Sequence, residues 1–326
     1  MRELVRTNDA VLVTAIEALL KGAGIPHLVL DQNMSVLEGS LGVLPRRIMV
    51  PREHVRPARR LLDDAGLGRE LRPDEDVTED AVLGARLKLR QPRKGHRFGH
   101  DAILLAAATS VRGGERIVDL GAGVGAAGLA LATRFADVSV TLVDIDPDLA
   151  DLAAENAKLN GLDHRVRSVV LDVGASEQEF AAEGLAAGTI HRVLMNPPFN
   201  DPARHAPSPD LARARAHQAS WDTVVTWTAA AARLLLADGI LTLIWRAEGL
   251  GQMLGALERS FGAVTVLPVY PREGAPAIRV LVRAAKGSGR PLALLPGFVL
   301  NDEAGRPTPQ AEAVLRHGAG LPLGEP

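Results

Sequence analysis

The stretch Val118-Asp119-Leu120-Gly121-Ala122-Gly123-Val124-Gly125 carries an apolar strand into alternating glycines and then into a helical segment. In an open α/β sheet that junction is where ligands bind, because glycine lets them come close to the backbone. Working outward, strand-like runs recur at Arg116–Asp119, Ser139–Asp144, Arg167–Leu171, Arg192–Met195, Gly239–Trp245, Ala263–Val269 and Ile278–Val282, most of them separated by helical segments. This alternation predicts a doubly wound, mostly parallel, seven-stranded α/β sheet covered on both faces. The last two runs are joined by too few residues for a helix, so that pair should be antiparallel.

The glycines alone do not select a ligand. Gly123, Gly125 and Gly128 also satisfy the dinucleotide fingerprint. Asp144, which ends the second strand 25 residues after Asp119, could take the ribose hydroxyls of a dinucleotide or of S-adenosylmethionine (SAM). Local charge discriminates. Residues 115–200 hold 6 Lys+Arg and 13 Asp+Glu, surroundings that repel a pyrophosphate and attract the sulfonium and ammonium of SAM. Asp119, inside the loop, fits the cationic ligand. Asp146 followed by Pro147 should cap the next helix.

The fourth strand of this unit runs into Asn196-Pro197-Pro198-Phe199, 77 residues beyond Asp119. Two prolines stiffen the backbone and remove two donors, so the segment presents acceptors. That suits methylation of an amino group on a planar conjugated system, such as a nucleobase amine or a glutamine amide. Its lone pair is delocalised and poorly nucleophilic. If the Asn196 side-chain oxygen and the Pro197 carbonyl each accept one N–H, the nitrogen can pyramidalise, and no strong base is needed. Phe199 would stack on the flat substrate, a contact worth about 1–3 kcal/mol per base.

The chain has 326 residues, 37 Lys+Arg against 39 Asp+Glu, and no cysteine. Disulfides, thiolate chemistry and Cys-ligated zinc are excluded, and a reducing cytoplasm is expected. The start has charges where a signal peptide needs an apolar core, and no apolar stretch is long enough to span a membrane. The ten aromatic residues all lie at or beyond Phe98, which points to two units. The first, residues 1–67, reads strand (Leu4–Thr7), helix capped by Asp9 and ended by Gly22 or Gly24, strand (His27–Leu30), strand (Arg47–Val50), helix (Pro51–Ala65). Residues 68–76, polar and without apolar period, read as a linker, and residues 77–326 form the second unit.

With so small a net charge, any polyanion must meet a local patch. Residues 84–101 carry Arg86, Lys88, Arg90, Arg93, Lys94 and Arg97 against Asp101; residues 271–290 carry Arg272, Arg279, Arg283, Lys286 and Arg290 against Glu273. These flanks predict RNA contact through Arg90, Arg93, Lys94, Lys286 and Arg290, with charge supplying affinity and the pocket reading the base. The segment 201–220, with Arg204, His205, Arg213, Arg215 and His217, reads as a long loop beside the turn. Its histidines lack carboxylate partners at ligand spacing, so no metal is expected.

Two resemblances follow from these motifs. The opening RTND, the loop LDQNMSVLEGSLGVLPRR and the strand and helix after it resemble a family of small signal-transducing domains, which implies a ferredoxin-like fold. Residues 77–326, through Thr78-Glu79-Asp80, LRQPRKGHRFGHDAILLAAA, DLGAGVGAAGLALA, Val143–Asp146, MNPPFNDP and KGSGRPLALLPGFVL, resemble the class I SAM-dependent methyltransferases of the small-methyltransferase type. They are most similar to bacterial enzymes that methylate the exocyclic amine of an adenine next to a tRNA anticodon. The resemblance implies that Asp119, Gly121, Gly123, Gly125, Asp144 and Asp172 line a SAM site, that Arg97 and Asp101 close over it, and that Asn196, Pro197, Pro198 and Phe199 form the catalytic turn. Its implied activity is N-methylation of adenine in tRNA. Guanine in ribosomal RNA and a protein glutamine are the rival substrates, and a silent RNA-binding protein is the rival outside catalysis. The chain departs from that subfamily at Phe199-Asn200, where Tyr and a second aromatic are usual, and in carrying the first unit.

Overall fold

The computed structural model describes residues 1–31, 45–72, 74, 76–94, 97–198, 209–321 and 323, with the backbone alone for 209–220. The chain divides into two compact units, Met1–Asp76 and Val77–Pro326.

The first unit is a three-stranded antiparallel sheet ordered β1 (Arg2–Thr7), β3 (Arg46–Val50), β2 (Leu28–Leu30), with helices α1 (Ala10–Gly22) and α2 (Val55–Asp64) on it. Asp9 caps α1 by accepting from the Val11 and Leu12 amides. Leu4, Ile16, Leu20, Ile48 and Leu62 close its core. Segment 68–76 is not a free linker. Arg72 N–H bonds to the Leu4 carbonyl at 3.0 Å, Leu71 bridges Val5 antiparallel, and Asp76 pairs with Arg2 at 2.6 Å and Arg52 at 3.2 Å. The polar character that suggests a linker is therefore that of a last, irregular edge on β1, fixed by arginines of the same unit. Most of the loop between β2 and β3, which carries part of the first resemblance, lies outside the described residues.

The second unit is built on one nine-stranded sheet. Its parallel part is ordered β8 (Val166–Val170), β7 (Val138–Asp144), β6 (Glu115–Leu120), β9 (Ile190–Met195), β10 (Leu235–Arg246). Antiparallel to β10 lies β12 (Arg279–Lys286), and antiparallel to β12 lies β11 (Phe261–Arg272), as the short connection requires. The seven strands read from the sequence are these; β13 (Ala293–Leu294) and β14 (Phe298–Asn301) add to β11 in parallel. Alternate residues feed opposite cores. Ile117, Leu142, Leu194 and Ile244 face one side, packing with α3 (His100–Ala108), α4 (Ala126–Arg134) and α9 (Pro309–Leu315), while Val118, Val143, Val193, Leu243 and Trp245 face the other. Burial on both faces is what a parallel sheet demands.

Ahead of the sheet, the basic stretch forms a hairpin, β4 (Val77–Val82) with β5 (Leu87–Pro92). Helix α5 (Pro147–Leu159) gives β5 a partner edge. Asn156, fully buried, accepts from Arg90 N–H at 2.7 Å and donates to the Arg90 and Val124 carbonyls, and Asn160 does the same at Lys88. Two carboxamides stand in for a strand and tie the hairpin to the glycine loop. After β9, helix α7 (Pro209–Leu234) begins at Pro209, so the second half of the expected 201–220 loop is helix; residues 201–208, with Arg204 and His205, lie outside the described residues, as do the side chains of Arg213, Arg215 and His217. The remaining helices are α6 (Glu177–Ala182) and α8 (Leu250–Leu257). Among the described residues no helix is long and apolar enough to cross a membrane.

Candidate active site

Strand order reverses at β6: the chain builds one way through β7 and β8 and the other through β9 and β10. Such a switch point opens a crevice at the carboxyl ends of the strands. A cleft of about 560 Å³ lies there, and it brings together Asp119, Gly121, Gly123, Asp144, Asp172, Arg97, Asp101, Asn196, Pro197 and Pro198, which are widely separated in the sequence. Leu120 pairs with Met195 in the β6–β9 ladder, so Gly121 and Asn196 leave neighbouring strands at the same level.

The glycine loop is preset by backbone geometry. Gly121, Gly123 and Gly125 all have φ between 56° and 84°, a region that other L-residues enter at a cost. A side chain at Gly121 would run into the Trp227 ring, whereas at Gly123 it would stand in open space. Gly125 differs from the expectation. It does not line the cleft; it makes the turn into α4, and a Cβ there would meet Leu142 and Leu129. Its smallness serves helix-on-strand packing.

The carboxylates have distinct environments. Asp144 accepts from the Gly123 amide at 2.7 Å through one oxygen and from the Asp146 amide at 2.9 Å through the other, which clamps the loop. Asp146 caps α5 as its sequence implies. Asp119 accepts from the Gly128 amide at 2.8 Å and is 2% exposed. Burial pushes its carboxyl up to about 7, helped by the Asp144 charge and opposed by the Gly128 N–H. Asp172 accepts from the Gly174 amide at 2.7 Å.

At the mouth, Arg97 and Asp101 are engaged. Arg97 donates to Asp80 at 2.9 Å and to Thr78, and Asp101 pairs with Arg279 at 2.8 Å. Asp101 does not cap α3, whose N-cap is Gly99. Asn196 follows β9 directly, and its Oδ1 is buried without a hydrogen-bond partner among the described residues. Phe199 lies outside the described residues.

Trp227 lines the cleft without having been read as a site residue, and Arg279, read only as part of a basic flank, lines it beside Phe98 of the 97–101 stretch. Trp227 comes from α7, more than 100 residues after Gly121, and no local signal announces it. The basic flanks separate. Arg90 sits on the hairpin within 3.4 Å of Glu79 and 3.8 Å of Glu155, and Arg93 and Lys94 are exposed at the hairpin end. Lys286 and Arg290 do not flank the cleft. Because β12 runs antiparallel to β10, Arg279 is at the cleft end and Lys286 seven residues away, about 23 Å along an extended strand. Nor is that loop free to follow a backbone: Lys286 Nζ donates to the Leu235 carbonyl at 2.6 Å, Gly287 N–H to Ser260 at 2.9 Å, and the Arg290 carbonyl accepts from Ala263 at 3.0 Å.

Comparison with known proteins gives matches for both units. Residues 99–270 match the family described as methyltransferase small domain, and residues 1–66 match one described as a prokaryotic signal transducing protein. The tRNA1(Val) (adenine(37)-N6)-methyltransferase of Tolumonas auensis is 31% identical over 173 residues, covering 53% of this chain and 68% of that protein. Its namesake in Aeromonas hydrophila is 31% identical over 200 residues, covering 59% and 77%. A release factor glutamine methyltransferase of Chlorobaculum tepidum is 29% identical over 160 residues, covering 47% and 53%. Among solved structures, a predicted O-methyltransferase from Agrobacterium tumefaciens superposes with a TM-score of 0.58 at 28% identity, covering 68% of this chain and 98% of that one.

Proposed function

The chain belongs to the methyltransferase small-domain family and is a SAM-dependent methyltransferase, and from that premise we propose that it methylates the exocyclic amine of an adenine in tRNA. The observation that carries the reading is that Asn196, which lines the cleft beside the glycine loop, holds a buried Oδ1 with no hydrogen-bond partner among the described residues. A buried acceptor without a donor is costly to the fold. A substrate amine supplies the donor.

The cleft suits SAM. Its lining includes the carboxylates of Asp101, Asp119, Asp144, Asp146 and Asp172 against two arginines, each already paired with an aspartate, so the excess charge is negative. Gly121 and Gly123 would hold the amino-acid end, Asp144 the ribose hydroxyls, and Asp172 would lie near the adenine amine. SAM, when bound, supplies an electrophilic methyl on a sulfonium. Asn196 Oδ1 would take one N–H of the target amine and the Pro197 carbonyl the other, holding the nitrogen pyramidal with its lone pair toward the cleft. The prolines keep both acceptors fixed and donate nothing that could compete. The proton leaves after the positive charge has arrived, so a neutral Asn suffices where a base is absent. Phe199 would stack on the base once it is extruded, at a cost of a few kcal/mol.

The relatives named for tRNA adenine, together with Arg93 and Lys94 exposed near Arg97, support RNA as the substrate. The place of action we infer is the cytoplasm. The glutamine methyltransferase relative keeps a protein amide as the second reading, since that nitrogen is equally planar and conjugated. Purified protein given labelled SAM with separate pools of tRNA, ribosomal RNA and protein distinguishes them. Label in tRNA recovered as N6-methyladenosine is expected; label confined to protein or to guanine in ribosomal RNA would replace the substrate. Binding of SAM with no label in any pool would leave a silent binding protein.

A further inference from the structure

At the other end of the sheet, where the parallel strands begin, lies a second cavity of about 380 Å³. The starts of β6 and β9, the irregular first part of β10 at Leu236–Gly239 and the end of β12 wall it. Four arginines, Arg112, Arg192, Arg283 and Arg290, line it against two acids, Glu115 and Asp238. None of these residues has a place in the cleft chemistry.

The positive charge there is poorly compensated. Arg192, 3% exposed, is held by Glu115 through two hydrogen bonds of 2.8 Å from Nε and Nη2. Its Nη1 is buried with no partner among the described residues. Glu115 is also committed to the Arg112 amide at 3.0 Å. Arg283, 8% exposed, stands on β12 opposite Thr242 of β10 and Thr265 of β11. Its Nε is buried without a partner, and no hydrogen bond or ion pair holds the side chain among the described residues. Burial lowers the pKa of Arg283, and the charges of Arg192 and Arg290 lower it further. Arginine nevertheless stays charged in proteins, so the group cannot escape by releasing its proton. A guanidinium withdrawn from water without a counterion weakens a fold relative to an apolar side chain of similar length. Strength of the sheet therefore does not account for Arg283 at this position. A ligand of opposite charge does.

We propose that this cavity is a phosphate-binding site, with the anion seated between Arg192, Arg283 and Arg290. Arginines of three separate elements line it, which suits a tetrahedral oxyanion with several acceptor oxygens better than a planar carboxylate. The lining carries two more arginines than acids, in keeping with a dianion or with a diester and its neighbour. His191 adds to this: its Nδ1 accepts the Arg116 amide at 3.1 Å, which places its proton on Nε2, a further donor at the same wall. The volume exceeds that of bare phosphate, so the phosphate can arrive on an ester. Its carrier is either an RNA backbone or a small molecule, and the chemistry of capture is the same. The proposal does not depend on the methyl-transfer reading.

The test uses the full chain, Arg283→Met and Arg290→Gln, each titrated with inorganic phosphate, with 5′-AMP and with tRNA at constant chloride. Thermal unfolding and equilibrium binding are the readouts. The wild type should gain thermal stability saturably with phosphate or 5′-AMP. Arg283→Met should begin more stable than wild type in phosphate-free buffer and gain nothing, and Arg290→Gln, an exposed position, should bind phosphate about tenfold more weakly, as expected for a lost charged hydrogen bond. If the carrier is RNA, the response appears with tRNA instead, and the plot of log affinity against log salt becomes shallower by about one in each variant. Arg290→Gln keeps the test decisive if Arg283→Met does not fold. A phosphate response and a tRNA salt slope identical in the wild type and the variants would overturn the proposal.

Discussion

The two ends of the one sheet have opposite chemistry. Where β6, β7 and β9 finish, glycines with positive φ, five aspartates and a carboxamide oxygen without a partner among the described residues meet; where β6 and β9 start, four arginines meet, and two guanidinium N–H groups have no partner among the described residues. A parallel sheet makes this segregation cheap, because all its strand ends of one kind fall on one side. Nearby residues in the sequence can thus belong to opposite poles. Arg279 and Arg290 are eleven apart and serve different ends.

The largest test of the acidic end is pH. Asp119 sits at about 7 in the fold against an ordinary value of 3.8, so the folded chain holds this proton more tightly than the unfolded one. The stability it gives is complete below pH ~4 and is lost as pH rises through about 7, by ~4 kcal/mol at one pKa unit per 1.4 kcal/mol. Denaturant titrations from pH 4 to 8 should show that fall in wild type and a flatter profile in Asp119→Asn. Over the same range the affinity for SAM should rise in wild type, since a cation favours the ionised carboxyl, and stay level in the variant.

Next in size, Asn196→Ala should lower kcat about 10²–10³-fold, the range for losing one fixed polar contact to the reacting group, while SAM affinity measured by dialysis stays within about twofold. Equal loss of both would place Asn196 among the residues that hold the turn together. Gly121→Ala should cost about 1–3 kcal/mol from left-handed backbone and crowding, read by chemical denaturation. The Trp227→Ala partner change should recover the crowding part only, which a double-mutant cycle isolates. Smallest of all, Arg93→Gln with Lys94→Gln should leave kcat unchanged and make the salt dependence of tRNA binding shallower by about two. If that slope does not move, RNA docks elsewhere.

Much of this was legible because it is local. The strand–glycine–helix junction, the caps at Asp9 and Asp146, and the antiparallel last pair each follow from a few neighbouring residues. What the sequence hides is long-range. The β4–β5 hairpin depends on Asn156 and Asn160, more than 60 residues away, to complete its hydrogen bonds. Gly125 shares the spacing of Gly121 and Gly123, yet only the packed fold reveals that Leu142 is what it must avoid. Lys286 and Arg290 form a basic run with Arg279 on paper, and strand direction then carries them to the far pole. Segment 68–76 looks like a linker by composition, but its acids have arginine partners distant in sequence.

The ring of Trp227 lies against Gly121 on the wall of the cleft, whereas Trp245 is sealed in the core and Trp221 rests beside Gly255. One indole out of three is thus placed to feel an arriving guest. Emission from the native chain should dim or shift on loading, and the Trp227→Ala variant should be blind to it, giving an occupancy gauge that needs no label and no turnover.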